Sequence, residues 1–138
     1  MKTAAQMQSV VTRLASKHNY SLEDLNDYLF LEMEGFLPLV IQGVGKNLLS
    51  VCHRLVVEGD AVADPEVVFF TGYGPWVPVS IEQAVGGYRN YATLTEDHAA
   101  IAASNNPVVD SLARFSETWA RNLEDQGWIE ATRRVRPA

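Results

Sequence analysis

At 138 residues, 47% apolar and 20% charged, the chain has the size and composition of a single globular domain, able to bury roughly two-thirds of the surface its unfolded form exposes; wholesale disorder is excluded. A net charge of −6 argues against gripping nucleic acid phosphates directly. The longest apolar stretch, residues 36–44, is broken by Pro38, Gln42 and Gly43 and falls far short of the ~20 residues of a membrane span.

Met7, Val10, Val11 and Leu14 recur at helical spacing, with Lys17 and His18 in the last turn where cations suit the helix end. This predicts a helix over 3–18 within an N-terminal region of residues 1–20, ended at Asn19. Ser21 then offers a cap, with Glu23 and Asp24 in the first turn, for a short helix from about residue 22. Residues 28–33 fit either its continuation or a strand, and Gly35 stops both. Four runs follow at 36–42, 48–57, 66–71 and 76–81, rich in Val, Leu, Ile and Phe and divided by GVGKN, EGDAVADP and TGYGP. They predict an antiparallel four-stranded meander over 36–81. Thr95 is placed to cap a short alanine-rich helix to about Ser104. Asn106, followed by Pro107 and Asp110, opens a longer helix with Val108, Leu112, Phe115, Trp119 and Leu123 on its apolar face, closed at Gly127. A meander has one apolar face to cover, so the expected fold is α+β, one domain over residues 1–138, with the helical part at 95–128 packed on one face of the sheet. The tail at 131–138, with Arg133, Arg134 and Arg136, follows no periodic pattern and is expected to fray.

The start, MKTAAQMQSVVTRLASK, has Arg13 and Lys17 within or after its apolar positions, unlike a secretory signal. The single Cys52 cannot form an internal disulfide. Both point to the cytoplasm. Ten of the seventeen acids lie in two base-free segments, residues 20–34 and 55–88; brought together in space, they would form a negative face that attracts a basic partner.

His53, Asp60, Asp64 and Glu66 carry metal-ligand chemistry, but along an extended strand His53 and Asp60 stand ~23 Å apart, too far to share an ion. No metal site and no cofactor is expected. Cys52 and His53 are neighbours whose side chains point to opposite faces of a strand, which rules out a nucleophile and base in contact. Alternation puts His53 with Leu49, Val51, Leu55 and Val57, an apolar company. GVGKN lacks the leading glycine and the closing Ser or Thr of a phosphate loop. The better candidate is an aromatic corner: Tyr73, Trp76, Tyr88, Arg89 and Tyr91 lie in or beside glycine-rich turns, and Tyr, Trp and Arg dominate interface hot spots. With the acids Asp60, Asp64 and Glu66 beside it, this corner is the expected binding surface.

FLPLVIQ, CHRLVVEGDAVADPEVVF, WVPV, GGYRNYA and RFSETWARNLEDQGW together resemble a family of small uncharacterised domains carried by phages, plasmids and conjugative elements. The likeness spans residues 28–128 and rests on His53, Gly59, Asp60, Asp64, Pro65, Glu66, Pro78, Trp119, Gln126 and Gly127. It implies an accessory role on a mobile element and no particular chemistry. The expected function is a non-enzymatic module that binds a protein partner, with no direct contact to nucleic acid or membrane. A narrower version is an acidic inhibitor of a host nucleic-acid-binding defence protein, its carboxylates standing in for phosphates. The contrasting expectation is a small hydrolase using His53 and the turn carboxylates.

Overall fold

The structure, a computed structural model, describes residues 1–136. Helix α1 (Ala5–Lys17) turns Met7, Val10, Val11, Leu14 and Ala15 to the core. No side chain of its own caps its start. Glu117 does so from another helix, its carboxylate accepting the Gln6 amide at 3.0 Å, where a negative charge suits the helix's positive end. The short helix expected from residue 22 does not form. The Asp24 side chain accepts the Asn26 amide at 2.9 Å, closing a tight turn in place of a helical one. Strand β1 (Tyr28–Glu32) follows, with Leu29 and Leu31 buried in strict alternation.

Strands β2 (Leu39–Gly45), β3 (Leu48–Val57), β4 (Asp60–Phe70) and β5 (Val77–Gln83) pair successively as an antiparallel meander. The expected four strands sit inside a larger sheet. Strand β6 (Gly87–Asn90) extends it beyond β5, while β1 and β9 (Arg133–Val135) extend it beyond β2, giving seven antiparallel strands in the order β6-β5-β4-β3-β2-β1-β9. The tail expected to fray is therefore an edge strand as far as Val135, and the expectation for residues 137–138 lies outside the described residues. Its anchor is electrostatic. Arg134 and Arg136 both reach the Asp27 carboxylate, at 3.1 and 2.9 Å, and Arg133 lies 3.6 Å from Glu32.

The alanine-rich segment after Thr95 is also not a helix. Strands β7 (Ala92–Leu94) and β8 (Ile101–Ser104) form a small hairpin, whose loop closes when the Thr95 hydroxyl oxygen accepts the Ala100 amide and Asp97 accepts that of Ala99. The hairpin packs with Phe70 and Val79 on the sheet face away from the helices. Helix α2 (Asn106–Gln126) begins with Asn105 in the capping position, and Gly127, at φ +88, ends it in the left-handed conformation that favours glycine. A single helical turn, α3 (Trp128–Ala131), follows.

The core lies between one sheet face and the helices. Leu29, Ile41, Val51, Val67 and Ile81 are cross-strand partners in one row, and α1 and α2 cover them. On α2 the buried face is Val109, Leu112, Ala113, Ser116, Trp119, Ala120 and Leu123, so Val108 and Phe115 fall at its margin. The β3–β4 connection is only Glu58–Gly59, both at positive φ as a two-residue mirror-image turn requires. Most of EGDAVADP is therefore strand. Because β2 pairs with β3 only as far as His53, and β5 with β4 only from Glu66, residues 54–65 project as a two-stranded ribbon.

Candidate functional site

The five residues of the expected aromatic corner are not one surface. Trp76 is 5% exposed and packs on Phe69, with its main chain held by the Ala4 amide and by the Gln8 side chain. Tyr91 packs against the same core. Tyr73 rests edge-on against Phe70, and its phenol oxygen accepts the Ile101 amide at 2.8 Å, tying the small hairpin down. Tyr73 still keeps 48% exposure, and Tyr88, 64% exposed, and Arg89 are open; as successive residues of edge strand β6 the last two project to opposite sheet faces.

The acids are likewise distributed. Asp60 opens β4 at the ribbon tip, paired with Val57. Asp64 stands in a bulge where β4 carries one residue more than β3 between the Cys52–Glu66 and Arg54–Ala63 pairs, which returns it to the level of His53. Glu66 lies across β3 from Cys52 and accepts a hydrogen bond from the Ser50 hydroxyl. The two base-free segments do not merge into one face, because β2 and β3 run between β1 and β4, and Asp27 and Glu32 of the first segment face the arginine tail.

His53 does sit with an apolar company, but an aromatic one. Its ring centroid lies 5.5 Å from that of Trp119 and 5.6 Å from that of Trp128. Its Nδ1–H donates to the carbonyl oxygens of Leu37 and Pro38, at 3.3 and 3.4 Å, and burial holds its pKa below the ordinary value. No carboxylate is hydrogen-bonded to it among the described residues. The alternation of β3 is unbroken through the bulge, so Cys52 lies on the opposite face. There burial, reinforced by the negative charge of Glu66, raises its thiol to about 11 and keeps it protonated near neutral pH. Among the described residues no group of three or more His, Cys, Asp or Glu could hold a metal ion. GVGKN forms the end of β2 and the turn into β3.

The surface that residue-by-residue reading missed is built around His53. Phe36 stacks edge-on against Trp128 at 5.9 Å, and Phe115 lies 6.3 Å from Trp119, so five rings run in series as Phe36, Trp128, His53, Trp119 and Phe115. The floor is buried and the rim is not: Phe36, Leu37 and Phe115 keep 43%, 47% and 38% exposure. Along β3, Leu55 and Val57 continue the face of His53 onto the ribbon. Trp119, only 8% exposed, has an indole N–H with no acceptor, which costs about 1–3 kcal/mol where water is absent. A signal for this surface existed in Phe36-Leu37, an apolar pair between Gly35 and Pro38 that the expected strand at 36–42 absorbed, whereas β2 begins only at Leu39. Trp128 directly after the helix-ending glycine was another.

A cavity of about 520 Å³ opens at the opposite end, between α1 and the β2–β3 turn. Its amide side chains already serve the fold: Gln8 binds Gly74 and Trp76, and Asn47 donates to His98.

A protein-family model for a domain of unknown function, DUF6908, matches residues 7–129. The chain belongs to the DUF6908 family. The match runs from α1 into α3 and takes in the whole ring series. No curated protein and no solved structure matches the chain. No helix among the described residues is long and apolar enough to cross a membrane.

Proposed function

We propose that this DUF6908 domain is a small non-enzymatic interaction module that docks a protein partner on the aromatic surface around His53. One observation carries the proposal: a fully packed tryptophan floor bordered by Phe36, Leu37 and Phe115, each more than a third exposed. Buried aromatic anchors inside a partly wet apolar rim are the anatomy of binding hot spots. Hydrolytic chemistry has less support, since the imidazole donates to main-chain carbonyls and the thiol is buried on the other side of the sheet. A cytoplasmic accessory role on a mobile element agrees with the family resemblance and extends this proposal.

The test is affinity capture with tagged wild-type chain beside a Phe36→Ser/Phe115→Ser variant and a Tyr88→Ala variant, all checked for native circular dichroism. A partner held by wild type and Tyr88→Ala but lost by the double variant supports the proposal. Equal capture by all three overturns it.

A further inference from the structure

The ribbon beyond His53 adds a chemical constraint on the partner. Cross-strand register puts Leu55 opposite Val62 and Val57 opposite Asp60, so Leu55, Val57, Val62 and Asp60 share the face that carries His53. Asp64 stands opposite His53 in the bulge, and Glu58 forms the tip. The apolar strip is thus flanked by carboxylates at both ends. Residues 55–66 hold four acids and no base, and none of the four lies in an ion pair among the described residues. Elsewhere Asp27 and Glu32 pair with the arginine tail and Glu124 with Arg13, while acids such as Glu23, Glu34 and Glu82 also lie outside these ion pairs. What sets the ribbon apart is placement: Glu58, Asp60 and Asp64 border the apolar strip that continues from His53, with no base between residues 55 and 66. An apolar strip edged by unpaired carboxylates is complementary to a segment with apolar residues on one side and lysine or arginine on the other, and it repels a phosphate backbone.

Resting on the docking surface proposed above, we infer that its occupant is a basic amphipathic segment of another protein. Its apolar side chains meet Phe36, Leu37, His53 and Phe115, and its cations meet Asp60, Asp64 and Glu58.

Two synthetic amphipathic peptides of identical apolar pattern, one carrying lysine and the other glutamate, test this by fluorescence anisotropy on the full chain. The Trp119 indole N–H resonance serves as the local reporter. The lysine peptide is expected to bind at least tenfold more tightly than its glutamate counterpart, to weaken as salt rises, and to shift that resonance. Asp60→Asn/Asp64→Asn should weaken it by about three- to tenfold, as removal of two exposed ion pairs allows. Equal binding of both peptides, no binding of either, or indifference to the double Asn variant overturns the inference while leaving an apolar docking surface intact. Lysine-peptide binding unchanged in Phe36→Ser/Phe115→Ser would instead remove the docking surface itself.

Discussion

The two ends of the sheet use aromatic residues in opposite ways. At the Trp76 end the aromatics tie the fold together even where they stay exposed: the Trp76 main chain is held by Ala4 and Gln8, the phenol of the 48% exposed Tyr73 accepts the Ile101 amide, and Tyr91 packs on the core. At the His53 end the rings are equally close to one another, yet the Trp119 N–H has no acceptor and three apolar side chains remain half in water. Glycine-rich turns thus supplied mainly structural ties and scattered exposed rings, whereas the continuous ring surface came from a helix margin and a pre-strand dipeptide.

Truncation breaks the comparison most sharply. Trp76→Ala and Trp128→Ala each remove a large buried ring, one at either end, and each should cost about 3–5 kcal/mol in urea unfolding. Tyr88→Ala, at an exposed edge strand, should stay within ~0.5 kcal/mol. A Trp76 variant as harmless as Tyr88→Ala would return Trp76 to the surface. Glu117→Ala comes next: it strips the carboxylate that holds the start of α1 and should cost about 1 kcal/mol, measurable in the same unfolding series. Phe115→Ser should cost about 1 kcal/mol, well below either tryptophan truncation, because its ring is 38% exposed and rests only by one side on Trp119. A loss as large as that of Trp128→Ala would show that the ring is part of the core.

Much of the architecture was legible because local and global signals agree. Strand β3 occupies 48–57 as its alternation requires, and α2 stops at Gly127, where a left-handed residue ends a helix. What was not legible depended on competition or on distant partners. Ser21-Leu22-Glu23-Asp24 reads as a helix start, but the Asp24 side chain takes the Asn26 amide and β1 finds β2 beside it. The alanines after Thr95 favour a helix until the threonine hydroxyl closes a hairpin loop. Three tail arginines are unremarkable as a string and become an anchored strand only through Asp27 and Glu32, about a hundred residues earlier. The site followed the same rule. Alternation correctly turned His53 away from Cys52, but the two-residue Glu58–Gly59 turn, which carries Asp64 back to His53, was hidden inside a longer run of loop-forming residues.

The smallest effects are set by pH, and they separate the sheet's tail edge from its aromatic end. Asp27 is held at about 2, first by its hydrogen bond to Arg136, so its folded pKa lies below the unfolded value near 3.8. The stability it confers is complete above the unfolded value and is lost as pH falls through about 2. Amide protection in β9, taken relative to the intrinsic exchange rate at each pH, should therefore fall between roughly pH 4 and pH 2, and Asp27→Asn should show low protection already at pH 6. His53 works in the other direction from a different range. Burial lowers its pKa, so below about 6.5 the unfolded chain takes up a proton that the folded ring resists, and stability declines as pH falls through that window. His53→Gln should reduce this decline, the remainder belonging to His18, whose pKa burial also lowers, and should leave the acid-range response of β9 unchanged. If the histidine variant also altered exchange in β9, the aromatic end and the arginine clasp would be one cooperative unit, and the contrast between the two ends would have to be redrawn with β1 as their shared element.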